Sequence, residues 1–406
     1  GKPVVNVFPF EDGEKISAIL PVKEFADDRY IFMGTAQGTV KKTPLSDFSN
    51  PRRNGIIAVA LDDDGQFAAE RVRGLCAALV RADPEQVALV PTVAAGMAVV
   101  AANLSPRAGQ NVVMLGDQFP SNVYPWRRWR KQGVAMRPVA APPGDAHEPA
   151  SWRRRCSAWH DALEAAIDRD TVLVAVEPVH WTDGTRFDLD RLARRARAVG
   201  AAFVVDATQV AGVMPLDVGE LQPDALVVHG YKSMLANYGL GFAVFGERFA
   251  EGRPTDESWL MRRGSEDFAR LVDYQDDYAP GMRRYDTSTR SNPVLIGMLE
   301  AACRLLVDWQ PARIEHYLRR IARPAVERLR ADGFGVADED LRAANLFGIA
   351  LPSGLAPEAV RQALAARYIH VSVRGSAVRV SPHVCNDEAD LLRLAEALAE
   401  IGRAAT

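Results

Sequence analysis

The alternation of hydrophobic and polar residues changes character near residue 65. Before that point, short β-type runs are separated by turn sequences, and we predict strands at residues 4–8, 16–22, 30–35, 38–42 and 56–61. After it, continuous apolar runs alternate with segments of 3.6-residue periodicity, which is typical of a parallel sheet covered by helices. The pattern therefore predicts a short all-β segment followed by a larger α/β region.

The later apolar runs predict strands that are buried on both faces, at residues 87–90, 112–115, 172–177, 202–206, 225–229 and 241–245. A long helical stretch over 293–332 is predicted to break at Pro311 and Pro324. The tail has the pattern of a small α+β unit, with strands at 347–351, 370–373 and 378–380 and helices at 357–367 and 387–401.

The composition excludes several classes of protein. The 406 residues are 48% hydrophobic and 25% charged, with a net charge of −3, which excludes a disordered, collagen-like or disulfide-scaffold chain. The near-zero net charge argues against non-specific binding to polyanions. Four scattered cysteines without ligand spacing predict free thiols rather than a zinc site. With no export signal or membrane-spanning run, they favour a cytoplasmic location.

The first segment carries a set of recognisable stretches at 1–6, 16–22, 32–36, 38–43 and 54–59, among them Gly-Thr-Val-Lys-Lys-Thr at 38–43. These resemble part of the C-terminal domain of the DNA gyrase A subunit, a β-pinwheel that wraps DNA. Residues 1–64 hold eight basic and ten acidic side chains, whereas DNA wrapping needs clustered positive charge. We interpret residues 1–64 as a gyrase-like fragment joined to a second, unrelated segment. A DNA-binding module is the alternative from another functional class.

Lys232 is the first candidate for chemistry in the second segment. It follows the predicted strand 225–229 and precedes a glycine-containing turn, an unusual place for a solubilising lysine. A desolvated lysine has a lowered pKa and can form a Schiff base with an aldehyde cofactor. The alternative is an ordinary loop lysine.

Asp206 ends the predicted strand 202–206, and ligands of open α/β sheets bind at the carboxyl ends of strands. A carboxylate there suits the partner of a protonated pyridine nitrogen, and Gln209 suits a hydrogen bond to the ring hydroxyl. Helix capping is the alternative for Asp206. At 91–96 a strand gives way to a helix, whose free amides can bind phosphate.

Further stretches at 119–124, 180–185, 205–209, 230–232, 291–293 and 378–383 complete the pattern. Over residues 67–403 the chain resembles the class-V aminotransferase family of pyridoxal phosphate (PLP) enzymes of fold type I. The resemblance implies a mostly parallel seven-stranded sheet with helices on both faces and a small α+β C-terminal domain. It divides the chain at 1–64, 65–310 and 311–406, and it implies a homodimer with active sites at the interface.

The resemblance also implies roles for individual residues. Lys232 would hold the cofactor and move protons, and Asp206 would face the pyridine nitrogen. The other implied cofactor contacts are Val93, Ala94, Phe119, Gln209, Tyr231, Asn292 and Thr289. Either Thr289 or Ser288 would reach the phosphate of the partner subunit. The implied substrate contacts are Arg379, which would hold the carboxylate, together with Trp181 and Asn122.

The implied activity is action at the α-carbon of an amino acid, and a class-V aminotransferase of the isopenicillin-N-epimerase-like subgroup is our first hypothesis. A kynureninase-like hydrolase or a C–S lyase is the alternative, since the sequence does not separate transamination from epimerisation or β-elimination. A cysteine desulfurase is disfavoured because residues 369–377 contain no cysteine to carry a persulfide.

Overall fold

The computed structural model describes residues 20–34, 40–50, 68–265, 267 and 270–405. The chain divides into two compact units, Gly1–Phe67 and Ala68–Thr406. The second unit is not divided further, so the domain boundary expected between residues 310 and 311 stays a prediction.

In the first unit, β1 (Tyr30–Gly34) and β2 (Val40–Pro44) form an antiparallel pair. These strands correspond to the runs predicted at 30–35 and 38–42. The strands predicted at 4–8 and 56–61 lie outside the described residues, as does most of the one at 16–22.

The second unit alternates strands and helices along most of its length. Its strands are β3 (Val87–Val90), β4 (Asn111–Leu115), β5 (Ala135–Val139), β6 (Thr171–Val176), β7 (Ala202–Asp206), β8 (Ala225–His229), β9 (Gly241–Phe245), β10 (Gly335–Val336), β11 (Phe347–Ala350), β12 (Ser372–Arg374) and β13 (Ala377–Val380). Its helices are α1 (Ala68–Val80), α2 (Val93–Asn103), α3 (Tyr124–Arg127), α4 (Pro149–Ala166), α5 (Leu189–Val199), α6 (Val218–Leu221), α7 (Pro293–Trp309), α8 (Pro311–Ala331), α9 (Pro357–Ala365) and α10 (Glu388–Ala405).

A seven-stranded sheet in the order β3-β9-β8-β7-β6-β4-β5 forms the centre of this unit. The strands from β8 to β5 run parallel, whereas β9 is antiparallel to both of its neighbours, β8 and β3. Successive side chains of one strand enter two different cores: Phe203 and Val205 point to one, Ala202 and Val204 to the other. Burial on both faces explains the continuous apolar runs and confirms the predicted fold class.

The small C-terminal sheet is antiparallel in the order β10-β11-β13-β12, and α10 packs on α8 beside it. The helical stretch breaks at Pro311, the first residue of α8, as predicted. The break predicted at Pro324 is wrong, because this proline lies inside α8. Its neighbours Ala322 and Ala325 are buried, and their packing offsets the local cost of a helical proline.

No helix in the described part of the chain combines the length and the apolar composition needed to cross a membrane.

Candidate active site

Three neighbouring parallel strands deliver polar side chains to one edge of the large sheet. Glu177 comes directly after β6, Asp206 ends β7, and His229 ends β8 three residues before Lys232. Carboxyl ends of adjacent parallel strands meet at one edge, where open α/β sheets bind ligands. A cleft of about 220 Å³ opens there.

Seven of the predicted site residues line this one cleft: Val93, Ala94, Phe119, Asp206, Gln209, Tyr231 and Lys232. They come from four separate stretches of the chain, so only the fold brings them together. The same cleft is lined by six residues that the sequence analysis did not single out as site residues: Thr92, Ser121, Glu177, Thr208, His229 and Tyr238.

The Lys232 side chain is partly buried between aromatic rings. Its Nζ lies 4.7 Å from the ring centroid of Phe119 and 5.5 Å from that of Tyr231. Burial lowers the pKa of Lys232; the charge of Asp206 acts in the opposite direction, and that of Arg379 lowers it further. The lysine is therefore easier to convert to the neutral, nucleophilic amine than a lysine in water.

Asp206 is 4% exposed, and its Oδ1 accepts the backbone N–H of Thr208 at 3.1 Å. Burial raises the pKa of Asp206, while the hydrogen bonds from Thr208 and the charge of Lys232 lower it. The Thr208 hydroxyl also accepts the backbone N–H of His229 at 3.1 Å, which ties β7 to β8 at the cleft. A buried carboxylate held this way suits a cationic N–H group brought by a ligand.

Glu177 is a second buried carboxyl group in the cleft, 1% exposed. It accepts the backbone N–H of Trp181 at 3.2 Å. Burial and the negative charge of Asp206 raise the pKa of Glu177 well above its ordinary value. A raised pKa favours the neutral acid form of Glu177, which is the form that can donate a proton or a hydrogen bond.

The N-terminus of α2 forms another wall of the cleft. The Thr92 hydroxyl caps this helix by accepting the N–H of Ala95 at 3.1 Å. The first-turn amides of Val93 and Ala94 have no carbonyl partner within the helix, which is the usual way a helix presents donors to an anion. A Cβ at Gly96 would lie 2.7 Å from Cγ1 of Val227, so glycine lets α2 approach the sheet this closely.

His229 packs against Tyr231 and Tyr238, with ring centroids 4.5 and 4.7 Å away. Its Nε2 accepts the backbone N–H of Gly239 at 3.1 Å, which leaves Nδ1 to carry the proton. Burial and then the charge of Lys232 lower the pKa of His229, so the ring is neutral.

The predicted substrate residues Trp181 and Arg379 lie next to Phe119. Trp181 meets Phe119 edge to face at 5.6 Å, and its indole N–H donates to the carbonyl of Asp117. Arg379 donates from Nη1 to the carbonyl of Trp181 at 2.8 Å. Burial and the nearby charge of Arg374 lower the pKa of Arg379.

Besides Trp181 and Arg379, three predicted site residues are absent from the described lining of the cleft, and each has other contacts in the structure. Asn122 is fully buried and binds the carbonyl of Val176 and the Trp126 indole. Asn292 caps α7, and the Thr289 hydroxyl contacts that of Thr287. Their roles at the site stay predictions that the geometry of one subunit does not support.

Comparison with known proteins identifies the family. The model of the aminotransferase class-V family matches residues 57–395. The chain belongs to the class-V aminotransferase family. This membership confirms a PLP-dependent enzyme of the aminotransferase/lyase type. An uncharacterized aminotransferase of Bacillus subtilis is 26% identical to this class-V enzyme over 330 residues, covering 79% of this chain and 80% of that one.

The fold agrees with that membership. A solved cysteine desulfurase from Thermococcus onnurineus superimposes with a TM-score of 0.68 at 21% identity, covering 86% of each chain. The DNA gyrase C-terminal domain family matches residues 29–69. The gyrase A subunit of Aeromonas salmonicida is 59% identical over 67 residues, which is 16% of this chain and 7% of that protein. Both predicted resemblances are thus confirmed.

The residues present fit PLP. The lysine amine lies beside an aromatic ring that can stack on a pyridine ring, and a buried carboxylate in the same cleft suits the protonated ring nitrogen. Free helix amides at the wall suit the phosphate. The cleft therefore contains a matching group for the aldehyde, for the ring nitrogen and for the phosphate of PLP.

Proposed function

We propose that this chain is a class-V aminotransferase that uses PLP to act at the α-carbon of an amino acid. The observation that carries the proposal is the cleft in which the Lys232 amine lies 4.7 Å from the Phe119 ring and shares the lining with Asp206. When bound, PLP supplies an electron-accepting ring that stabilises negative charge at the α-carbon.

Lys232 would hold the cofactor through its amine. Once the substrate has released this amine, it would accept the proton of the α-carbon. Its lowered pKa favours the neutral amine that both tasks require. Asp206 would accept a hydrogen bond from the ring N–H and keep that nitrogen protonated. Phe119 would orient the ring by stacking.

The amides of Val93 and Ala94 would hold the phosphate, and Tyr231 is placed in the same lining to assist. Gln209 would orient the ring hydroxyl. Arg379 would bind the substrate carboxylate, because a guanidinium pairs with a carboxylate through two parallel hydrogen bonds. Trp181 lies between Arg379 and Phe119 and would limit the space for the substrate.

A homodimer is part of the proposal. One face of α7 exposes a stripe of large apolar side chains with helical spacing: Val294, Met298, Leu305 and Trp309. Asn292 and Thr289 lie just before this helix, so a second copy seated on the stripe would come close to them. We also propose a cytoplasmic location, since all four cysteines are free thiols.

A C–S lyase or kynureninase-like reaction is the second candidate, because the fold is shared with a cysteine desulfurase. Persulfide transfer from the loop before Arg379 has no support, since the stretch 369–377 contains no cysteine. A β-elimination that needs only Lys232 as the base stays compatible with the site.

For the gyrase-like fragment we propose no DNA-wrapping role. It spans 7% of the gyrase subunit, and its acidic side chains outnumber its basic ones. Salt-dependent retention of the full chain on DNA, lost when residues 1–64 are deleted, would contradict this.

The test is a panel of amino acids supplied to the purified, PLP-loaded chain with a keto-acid acceptor. Transamination predicts a new keto acid and a new amino acid in equal amounts, and Lys232→Ala should form neither. Ammonia with pyruvate or alanine, without use of the acceptor, would favour the lyase or hydrolase instead. A racemised substrate would favour epimerisation.

A further inference from the structure

Two arginines project from one face of the small C-terminal sheet toward Trp181. Arg374 ends β12 and lies opposite Ala377, while Arg379 lies on β13 opposite Ser372. Residues two apart on a strand share a face, so the two side chains are diagonal neighbours on the same surface. Arg379 donates to the Trp181 carbonyl, and the Arg374 guanidinium lies 5.3 Å from the Trp181 ring centroid.

Among the described residues, neither guanidinium has an acidic partner. In the described part of the chain, the ion pairs within 4.0 Å include neither Arg374 nor Arg379. The hydrogen bonds of Arg374 include one from Nη1 to the adjacent Val373 carbonyl at 2.7 Å. Most other arginines among the described residues pair with aspartate or glutamate.

Each of these two arginines also has a buried Nε–H donor that is unpaired among the described residues. The Nε atoms of Arg374 and Arg379 are buried and have no hydrogen-bond partner. A buried donor without a partner costs free energy, and a charged donor costs more than a neutral one. Such a cost is relieved when an anion with two oxygens binds each guanidinium.

The two charges act on the catalytic lysine as well. Arg379 and, more weakly, Arg374 lower the pKa of Lys232, and Arg374 lowers that of Arg379. The carboxyl groups that face Lys232, Asp206 and Glu177, are both buried acids with raised pKa values. Arg374 and Arg379 are therefore two cationic groups close enough to act on Lys232, and one substrate carboxylate would neutralise one of them.

We propose that Arg374 binds a second anionic group, so that the substrate is an α-amino acid with an acidic side chain. This inference rests on the proposed function, in which Arg379 holds the α-carboxylate. The side-chain anion is a carboxylate or a sulfonate, both of which offer two oxygens to a guanidinium. A neutral side chain would leave Arg374 unpaired, and sites of this kind reject analogues that lack the matching group.

The experiment measures binding of two matched anions, glutarate and its monoamide glutaramate, to the full chain by calorimetry, with and without PLP. Glutarate should bind about 10- to 100-fold more tightly, the range expected for one charge-assisted contact. Arg374→Gln should remove that preference while leaving glutaramate affinity unchanged. Arg379→Gln should weaken the binding of both ligands. Arg361→Gln, on α9, should leave both affinities unchanged.

Equal affinity of the wild-type chain for the two ligands would overturn the inference, as would a preference that survives in Arg374→Gln. Arg374→Lys guards against a folding defect, because it keeps the charge and should retain part of the preference. The visible absorption of bound PLP, read in the same samples, separates the two proposals. Absorption without a glutarate preference overturns only this inference; a preference that depends on Arg374, without absorption, overturns only the proposed function.

Discussion

Glu177 and Asp206 stand at the carboxyl ends of neighbouring parallel strands, and both face the cleft that holds Lys232. Each is almost fully buried, and the charge of Asp206 raises the pKa of Glu177. One lysine thus shares its cleft with two buried acids whose pKa values are both raised, and perturbed pKa values of this kind are typical of functional sites.

The raised pKa of Glu177 predicts that the free energy of unfolding depends on pH. The folded-state pKa of Glu177 is raised above its ordinary value of 4.5, so unfolding releases a proton between these two values. Stability is then greatest below the ordinary pKa and falls as the pH rises toward the folded pKa, by up to about 1.4 kcal/mol per pH unit. Glu177→Gln should flatten this slope in urea unfolding series between pH 5 and pH 8. An unchanged slope would mean that Glu177 is ionised.

The substitution Asp206→Asn removes the negative charge of this side chain and nearly keeps its shape. The asparagine Oδ1 can still accept the Thr208 N–H, so we expect the fold and the thermal midpoint to persist. The loss of the negative charge beside the cofactor should reduce kcat by about 100-fold or more, the size of effect seen when a preorganised electrostatic partner is removed. A glutamate variant serves as the control that keeps the charge. Near-normal turnover of Asp206→Asn would contradict the role given to this carboxylate.

A buried ion pair behind the site supports its geometry. Arg73 and Asp286 are joined at 2.8 Å with both side chains buried, and Asp286 also accepts the N–H of Leu89 on β3, the strand that leads to α2. Asp286→Asn should cost about 3–5 kcal/mol of unfolding free energy, because it removes the buried acidic partner of both Arg73 and Arg290 and leaves Arg73 with only the more exposed Glu70. The exposed pair of Arg153 and Asp340 gives the matched control, and Asp340→Asn should cost at most about 1 kcal/mol. Equal losses would contradict this.

The exposed apolar stripe on α7 predicts a dimer contact. Met298→Glu and Leu305→Glu should shift the chain from dimer to monomer in sedimentation velocity, because each would bury an unpaired charge in the interface. Ala198→Glu, on the exposed side of α5, should leave the dimer intact. Dimers that survive both stripe variants would place the contact elsewhere.

The sequence predicts the fully buried strands of the large sheet better than the partly exposed one. The residues of β3, β7, β8 and β9 match the predicted runs, because burial on both faces demands continuous apolar stretches. The strand β5 was missed: it lies at the sheet edge, is partly exposed and contains Pro138. Partial exposure weakens the apolar signal of β5, and a strand at the sheet edge tolerates proline.

Site residues at the ends of apolar strands can be predicted from the sequence, whereas isolated charged residues of the site cannot. Asp206 and Lys232 follow strongly apolar strands, and Glu177 holds the same kind of position after β6, a signal that could have found it. Arg374 lies at a hairpin end, where arginines are common, so only its unpaired Nε distinguishes it. Asn122 was predicted from a motif, yet its amide is used within the core.

Beyond residue 65 the chain contains two lysines, Lys131 and Lys232, and this makes the central claim directly testable. The PLP-loaded chain is reduced with borohydride, digested and analysed by mass spectrometry, with exposed Lys131 as the internal control. The account predicts the added pyridoxyl phosphate mass on the peptide that contains Lys232 and its loss, together with the visible absorption, in Lys232→Ala. Attachment at Lys131 instead, or equal labelling of both lysines, would contradict it.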